Sequence, residues 1–228
     1  MDFIVNRSNF ADCKFVEPTM LGLRNGQVHL RIAKFAFTAN NITYAVAGDM
    51  LSYWKFFPAD DGYGRIPVWG IGVVEASKHD GIAVGDRYFG YYPMSDYLTV
   101  QPDKVGPHGF FDASPHRAQL PSTYNNYSRM TPEFGFPPEQ DDHIMVLRVL
   151  FMTGWLIDEF LASNSFFGAK TLVISSASSK TSIGLAHCAA ARSKDARPKI
   201  VGLTSPGNVE FVEDLGYYDA VVTYDNTA

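Results

Sequence analysis

The sequence predicts a mixed α/β plus β fold, in which an irregular N-terminal β-barrel or sandwich precedes an α/β unit with parallel strands. The first part of the chain is rich in glycine, proline and aromatic residues between short apolar stretches, which is typical of antiparallel β structure. Beyond Gly168, short apolar runs alternate with helical patterns, as they do in β-α-β units. With 228 residues, of which 46% are hydrophobic and 19% are charged, the chain can bury a sizeable core.

The N-terminal part contains four segments with the composition of strands. His29–Ala33 alternates polar and apolar residues, as a half-buried strand does. Val68–Ala76, Asp86–Tyr91 and Tyr97–Val100 combine β-branched and aromatic residues with nearby glycines. Residues 101–142 carry many prolines, and they predict a loop-like, partly ordered connection.

The C-terminal part predicts one long helix, followed by three strands that alternate with two helices. Apolar residues at helical spacing place the long helix over residues 143–163. The predicted order β-α-β-α-β is one half of a doubly wound parallel sheet. We expect a first domain over residues 1–140, including the proline-rich connection, and a second over 141–228. The predicted elements after the long helix are strands Thr171–Ile174, Lys199–Leu203 and Ala220–Tyr224 and helices Ser182–Arg192 and Gly207–Leu215.

Charge, cysteine content and apolar run length exclude several classes of protein. A net charge of -5 and a pI near 5.6, without a basic run, argue against nucleic-acid binding. The two cysteines, Cys13 and Cys188, cannot form a disulfide framework or a four-cysteine zinc site. The apolar runs are shorter than the roughly 20 residues of a membrane helix. Because the N-terminus also lacks a secretory signal, we expect a cytoplasmic protein with no nucleic-acid or membrane partner.

The turn after the first strand of the parallel unit is the strongest candidate for chemistry. Ligands of open α/β sheets bind at the carboxyl ends of the strands, where free amides at the next helix N-terminus attract phosphate. Three interpretations remain open: a pyrophosphate cradle, a serine-rich cap of its own helix, and a degenerate P-loop at Lys180-Thr181. The candidate cofactor-binding residues in this turn are Ser178, Ser179, Lys180, Thr181, Ser182 and Ile183.

Two further features of the parallel unit concern the cofactor. The glycines of a G-x-G-x-x-G fingerprint are missing except for Gly184, which we expect at a close helix–strand contact. The second strand ends at Thr204 and Ser205, without an acid to hold the ribose diol of NAD. Small hydroxyls leave room for a 2′-phosphate, so these two residues favour NADP over NAD, with an ordinary helix entry as the alternative.

A set of segments forms an ordered pattern over nearly the whole chain: Asn40–Asp49, Arg65–Val74, Val84–Arg87, Phe151–Leu156, Gly202–Ser205, Leu215-Gly216 and Val222–Tyr224. This pattern resembles the medium-chain dehydrogenase/reductase superfamily, on its zinc-free, quinone-oxidoreductase-like side. Within that superfamily the chain is similar to a family of unknown function, whose shared motifs are present at Asn40–Ala45, Tyr53–Pro58, Ser176–Thr181 and Gly202–Ser205.

The resemblance implies a GroES-like β domain packed against a Rossmann-type dinucleotide-binding domain, with the nicotinamide in the cleft. Members of the family continue through the second half of the sheet, so the resemblance also implies a chain truncated at its C-terminal side. Where zinc enzymes carry Gly-His-Glu, this sequence has Val68-Trp69-Gly70, and neither cysteine falls at a ligand position. The histidines are not spaced as metal ligands either, so we expect no zinc and no other metal site.

The resemblance also places three residues near the nicotinamide. Tyr44 would donate a proton or polarise a carbonyl oxygen, Asn41 would hydrogen-bond substrate or ribose, and Thr153 would contact the nicotinamide amide. Each has a structural alternative, because Tyr44 could be a core aromatic residue and the other two could bond their own backbone. The aromatic segment Tyr53–Phe57 could likewise line an apolar substrate pocket or belong to the core.

Two functions from different classes follow from these observations. The first is a zinc-independent, NAD(P)H-linked oxidoreductase that reduces a carbonyl or an activated C=C of a small molecule. The second is a non-catalytic or truncated relative that has lost cofactor binding and acts as an interaction module. In both, a half-sheet leaves an edge strand and apolar helix faces uncovered, so we expect a homo-oligomer or a partner subunit to cover them.

Overall fold

The computed structural model describes residues 1–18, 22–60 and 62–226. The chain divides into two compact units, Met1–Val146 and Leu147–Ala228, which we name unit 1 and unit 2. The fold is mixed α/β, with a curled antiparallel sheet in unit 1 and a parallel sheet in unit 2.

Unit 1 is built mainly from antiparallel strands. Among the described residues, one sheet has the order β2-β1-β4 and a larger one has the order β7-β3-β5-β6-β10-β9-β8. One α-helix, α1 (Ala39–Val46), follows β3. The strand bounds are β1 (Asp2–Asn6), β2 (Asn9–Val16), β3 (Val28–Ala36), β4 (Tyr63–Gly64), β5 (Pro67–Ser77), β6 (Arg87–Pro93), β7 (Tyr97–Val100), β8 (Pro102–Gly106), β9 (Gly109–Asp112) and β10 (Asn126–Arg129).

The four strands predicted for the N-terminal part are confirmed. The predicted segment His29–Ala33 lies inside β3, Val68–Ala76 lies inside β5, and Tyr97–Val100 coincides with β7. Asp86–Tyr91 corresponds to β6, which begins one residue later and continues to Pro93. Alternation and aromatic content are therefore sufficient to locate four adjacent strands of the larger sheet, from the edge strand β7 to β6.

The prediction of a loop-like connection over residues 101–142 is wrong. This segment supplies β8, β9 and β10 to the larger sheet. Its prolines lie where elements begin: Pro102 is the first residue of β8, and Pro115 and Pro132 open short 3-10 helices. A proline at such a position removes no ladder or intrahelical hydrogen bond, so the proline content is compatible with regular structure.

Side chains from distant strands of the larger sheet meet in one apolar core. Val100 on β7 and Phe110 on β9 belong to the same buried cluster as Leu30 and Tyr92 on the central strands. Strands near opposite ends of the sheet order can share a core only if the sheet curls around it. Helix α1 is attached to this curled sheet, because Asn41 Nδ2 donates to the carbonyl oxygen of Pro67 at 2.8 Å.

Unit 2 has the predicted order β-α-β-α-β. Its three strands pair in parallel in the order β11-β12-β13, with Thr171 opposite Lys199 and Val201 opposite Ala220. Gly216, at a φ of 69°, follows the last helix, in agreement with the predicted stop. The bounds are α2 (Asp141–Ser163), which starts in unit 1, then β11 (Thr171–Ile174), α3 (Lys180–Ala191), β12 (Lys199–Thr204), α4 (Val209–Asp214) and β13 (Ala220–Thr223).

The expected helix–strand contact at Gly184 is wrong, because Gly184 lies against α2. A Cβ atom at Gly184 would lie 3.2 Å from Phe151 Cα, and one at Gly154 would lie 2.5 Å from the Leu185 amide nitrogen. The two glycines therefore let the backbones of α2 and α3 approach each other closely. This contact fixes the first turns of α3, and so the turn between β11 and α3, against α2.

Candidate functional site

The turn between β11 and α3 is held together largely by its own serines. Ser179 is the N-cap of α3, and its hydroxyl accepts a hydrogen bond from the Ser182 amide at 3.3 Å. Ser179 Oγ also donates to Ser182 Oγ at 3.0 Å, and Ser182 Oγ donates to the Ser175 carbonyl oxygen at 2.9 Å. The interpretation as a serine-rich cap is confirmed for these two hydroxyls, which are used inside the turn.

The backbone amides of the turn fall into two groups. Some have partners: the Ser176 amide donates to Tyr224 Oη at 2.9 Å, and the Ala177 amide donates to the Leu203 carbonyl oxygen at 3.1 Å. Others find no acceptor within the described part of the chain, and these are the amides of Ser178, Lys180 and Thr181. Unpaired amides at the start of a helix carry the positive end of its dipole.

Ser176 has the left-handed backbone conformation that glycine adopts most readily, with a φ of 48°. The chain therefore follows a glycine-like path at this point although a serine occupies it. A serine in place of glycine adds side-chain bulk beside the turn, but the backbone keeps its left-handed conformation there.

Lys180 adds a full positive charge at the first residue of α3. Its side chain is half-buried, and within the described residues its ammonium group has no ion pair or hydrogen bond. The helix dipole disfavours a cation at this end by about 0.3–1 kcal/mol, so stability of the helix does not explain the residue. Together with the unpaired amides, Lys180 forms a site that attracts an anion, which we name the anion site.

Asn208 ties together the carboxyl ends of β11 and β12. Its Nδ2 donates to Ser178 Oγ at 3.2 Å and to Ser205 Oγ at 3.0 Å. Thr204, at the end of β12, is buried, whereas Ser205 is exposed. The predicted residues Ser178, Thr204 and Ser205 thus lie at one edge of the parallel sheet.

Two other predicted cofactor-binding residues have structural roles. The Ile183 amide donates to the Ser179 carbonyl oxygen at 2.9 Å, within the first turn of α3. Thr153 is exposed on α2, and its hydroxyl donates to the Val149 carbonyl oxygen one turn earlier, at 3.0 Å. Thr153 therefore bonds its own backbone, and its contact with a nicotinamide amide stays a prediction.

The two predicted catalytic residues both lie on α1, in unit 1. Tyr44 is only 8% exposed, and its hydroxyl oxygen accepts a hydrogen bond from Trp69 Nε1 at 3.1 Å. Burial raises the pKa of Tyr44 above its ordinary value, so the phenol is neutral at physiological pH. Asn41 is also buried, and its Oδ1 accepts from the Thr38 amide at 2.6 Å while its Nδ2 holds β5. The proposed catalytic roles of Tyr44 and Asn41 stay predictions.

The aromatic segment Tyr53–Phe57 belongs mainly to the core. Trp54, Phe56 and Phe57 are buried, which confirms the structural alternative for these three side chains. Tyr53 is half-buried, and its hydroxyl lies 3.3 Å from that of Tyr124.

Sequence reasoning missed two tyrosines that complete these regions. Tyr124 lies within residues 101–142, for which the sequence predicts a loop, and it is 71 residues from Tyr53. Tyr218 lies between α4 and β13, and its hydroxyl donates to the Ala177 carbonyl oxygen at 2.9 Å, across 41 residues, so it supports the turn from a distant part of the chain. No local pattern signals either contact, because each forms only when the strands pair.

Two kinds of feature are not found in the part of the chain that the structure describes. It has no group of three or more His, Cys, Asp or Glu side chains placed to hold a metal ion. It also has no helix that is both long enough and apolar enough to cross a membrane.

A family model described as "Protein of unknown function (DUF2855)" matches residues 35–228. The matched range includes α1, Tyr53, Tyr124, and the turn with its anion site. The chain belongs to the DUF2855 family. A search of curated proteins finds no significant match to the sequence.

Solved structures share the fold of this DUF2855 chain at low sequence identity. CurA from Vibrio vulnificus, in complex with NADPH, has a TM-score of 0.58 at 13% identity over 98% of this chain and 56% of that chain. The mycobacterial protein Rv1454c, complexed with NADPH, gives 0.54 at 14% identity over 98% and 57%. The quinone oxidoreductase from Coxiella burnetii gives 0.52 at 10% identity over 98% and 62%.

These likenesses establish the fold, which this chain shares with the three solved structures. This DUF2855 chain spans between 56% and 62% of the length of the three structures compared.

Proposed function

We propose that the protein is a zinc-independent, NADPH-linked oxidoreductase of the cytoplasm that reduces a carbonyl or an activated C=C of a small molecule. The anion site of unpaired amides and Lys180 is the observation that carries this proposal. Likeness in fold to two proteins solved with NADPH supports it. In this proposal residues 1–140 form a GroES-like domain, and residues 141–228 form the first half of a Rossmann-type sheet.

The residues of the turn fit a dinucleotide. Residues 175–184 include no acid, and a turn with unpaired donors suits a diphosphate, which would accept hydrogen bonds from the free amides and attract the Lys180 ammonium group. Thr204 and Ser205 bring no carboxylate to the end of β12, so they would leave room for the 2′-phosphate of NADPH. NADPH, when bound, supplies the hydride. The role of the turn is therefore to hold and orient phosphate groups.

Tyr44 is the proposed proton donor. Because burial raises the pKa of Tyr44, the hydroxyl keeps its proton at neutral pH and can donate it to a substrate oxygen. The hydrogen bond from Trp69 Nε1 fixes the position of the phenol oxygen. The proposal assigns no role to zinc.

The proposal is tested by titrating the protein with NADPH and following the nicotinamide fluorescence. We expect saturable binding, tighter for NADPH than for NADH. We expect Lys180→Met to weaken NADPH binding about tenfold, the lower end of the range for a hydrogen bond to a charged group. Lys170→Met is the matched control, because Lys170 is exposed just before β11, at the opposite end of that strand. Wild-type protein that binds neither nucleotide, or a Lys180→Met variant that binds NADPH normally, contradicts the proposal.

A second candidate function, an interaction module, is favoured by the surface of α2. Several large apolar side chains of this helix are more than a third exposed, which is unusual for an isolated surface helix. We propose that a second copy or a partner subunit covers them. In sedimentation equilibrium we expect an oligomer that Leu156→Glu dissociates, and a wild-type monomer at micromolar concentration would contradict this. The exposed side chains are Val146, Leu147, Phe151, Met152, Trp155, Leu156, Ile157 and Phe160.

A further inference from the structure

Four tyrosines of unit 1 lie together in one aromatic cluster. The ring centroids of Tyr44 and Tyr53 are 4.8 Å apart, those of Tyr91 and Tyr124 are 4.6 Å apart, and those of Tyr53 and Tyr124 are 5.8 Å apart. The Trp69 ring packs on Tyr91 at 5.0 Å. We name these five side chains the phenol cluster. They come from α1, a short 3-10 helix after it (Tyr53–Lys55), β5, β6 and a second 3-10 helix before β10.

The phenol cluster has more hydrogen-bond donors than hydrogen bonds that use them. Its four phenols and one indole supply five protons. Within the described residues, these protons make two hydrogen bonds: Trp69 Nε1 donates to Tyr44 Oη, and the Tyr53 and Tyr124 hydroxyls share one proton at 3.3 Å. Three hydroxyl protons are thus left without an acceptor. A site with surplus donors favours a ligand atom that accepts and does not donate.

Tyr91 makes this surplus unusual, because its side chain is 0% exposed and its hydroxyl has no partner among the described residues. A buried hydroxyl normally finds a partner. Burial raises the pKa of Tyr91 well above its ordinary value, and the neighbouring Tyr44 and Tyr124 raise it further. Burial also raises the pKa of Tyr124. These phenols therefore remain protonated donors at any physiological pH.

We propose that the phenol cluster is a binding site for the proton-free oxygen, carbonyl or phenolate, of a flat conjugated molecule, held by the hydroxyls of Tyr53 and Tyr124. Both side chains are half-buried, as is Trp69, so a ligand can reach them from solvent. Aromatic faces favour a flat ring, and the surplus protons select an oxygen that only accepts. This site rests on the proposed function, because the bound oxygen would be that of the substrate. Tyr91 is a positioning residue behind the pair.

The experiment uses 4-nitrophenol as the probe, with the 228-residue chain and no dinucleotide. The absorption band of the phenolate reports both binding and ionisation. A donor-rich site stabilises the charged phenolate, so the pKa of the bound probe falls below that of the free probe. An apolar aromatic surface, or a cluster whose donors are satisfied by a buried water molecule, has the opposite effect, because desolvation raises the pKa of a phenol. A raised or unchanged pKa, or no binding, overturns the proposal.

Variants then locate the site. Tyr53→Phe and Tyr124→Phe each remove one hydroxyl, and we expect each to weaken nitrophenolate binding by about tenfold to a hundredfold. Tyr63→Phe is the matched control, because Tyr63 is a tyrosine of the same unit outside the cluster, bonded to Asp12 at 3.0 Å. Wild-type affinity in both cluster variants overturns the proposal. The sign of the pKa change in the wild-type protein decides the question even if a variant fails to fold.

The two proposals fail in different ways. Normal binding of NADPH without binding of nitrophenolate overturns the phenol site and leaves the reductase proposal standing. Binding of nitrophenolate at Tyr53 and Tyr124 without binding of NADPH supports the site and overturns the reductase proposal.

Discussion

The turn in unit 2 and the phenol cluster in unit 1 are built in opposite ways. Hydroxyl contacts inside the turn join residues three to seven positions apart, as Ser179 and Ser182 do. The phenol cluster joins Tyr44 to Trp69 across 25 residues and Tyr53 to Tyr124 across 71. The turn carries charge, through Lys180 and free amides, whereas the cluster consists of neutral donors. The difference shows that one fold can present a local, charged site and a non-local, uncharged one.

The largest expected effect on stability tests the buried ion pair that lies next to the aromatic residues of unit 1. Arg117 and Asp112 form an ion pair at 3.1 Å, with both side chains only 1% exposed, and the guanidinium carbon lies 4.8 Å from the centre of the Phe57 ring. Asp112→Ala leaves a buried, uncompensated cation. We expect the free energy of unfolding of unit 1 to fall by about 3–5 kcal/mol. Urea unfolding followed by the fluorescence of Trp54 and Trp69 measures it.

Asp103→Ala is the control for this prediction, because Asp103 is exposed on the neighbouring β8. It should change the free energy of unfolding by less than about 0.5 kcal/mol. An Asp112→Ala variant as stable as this control would show that the framework of unit 1 does not depend on the buried pair.

A smaller effect tests whether the turn in unit 2 also needs a distant contact. A Cβ at Gly154 would meet backbone atoms of α3, at 2.5 Å from the Leu185 amide nitrogen and 3.0 Å from the Thr181 carbonyl oxygen. Backbone atoms of α3 cannot avoid the added methyl group by a change of rotamer, as a side chain could. We therefore expect Gly154→Ala to lower the free energy of unfolding of unit 2 by about 1–3 kcal/mol. Urea unfolding followed by circular dichroism measures the change.

Gly207→Ala is the matched control in the same unit, since no atom lies within 4 Å of its added Cβ. If Gly154→Ala is as stable as Gly207→Ala, then α2 and α3 can separate without loss. The turn would then not depend on the contact between α2 and α3, and the contrast with unit 1 would be sharper.

The same contrast explains what could be predicted from the sequence. Runs such as Thr171–Ile174 have the bounds of the observed strand, because apolar composition and flanking turns are local properties. The helix cap at Ser179 is predictable from the sequence for the same reason. The sequence does not predict the strands β8, β9 and β10, because their order comes from pairing with other strands, which their proline-rich composition does not signal. In the larger sheet β10 pairs with β6, β9 pairs with β10, and β8 pairs with β9.

The candidate sites divide in the same way. The residues of the anion site were named from sequence because they follow one another along the chain. The Tyr53–Tyr124 pair was not, since strand pairing alone brings Tyr124 to Tyr53. For Gly184, the position was recognised as a close contact, but sequence could not tell whether a strand or α2 lies opposite.

The smallest expected effect depends on pH and concerns an ion pair at the surface of unit 2, between half-buried Arg197 and exposed Asp219. The Arg197 guanidinium and the Ile200 amide lower the pKa of Asp219 from its ordinary 3.8 to about 2. A carboxyl group with a lowered pKa stabilises the folded state above its ordinary pKa, and this stabilisation is lost as the pH falls from about 4 to about 2. Solvent screens the pair, so its contribution at neutral pH is at most about 1 kcal/mol.

Asp219→Asn should therefore be less stable than the wild type at pH 7, and the two should converge near pH 2, as thermal unfolding across this range will show. Asp214→Asn is the control, because Asp214 is exposed at the end of α4 and has no ion pair within the described residues. A difference between wild type and Asp219→Asn that stays constant from pH 7 to pH 2 would contradict the prediction. Since Asp219 lies 19 residues from Ile200, convergence would mean that unit 2 also gains some stability from non-local contacts.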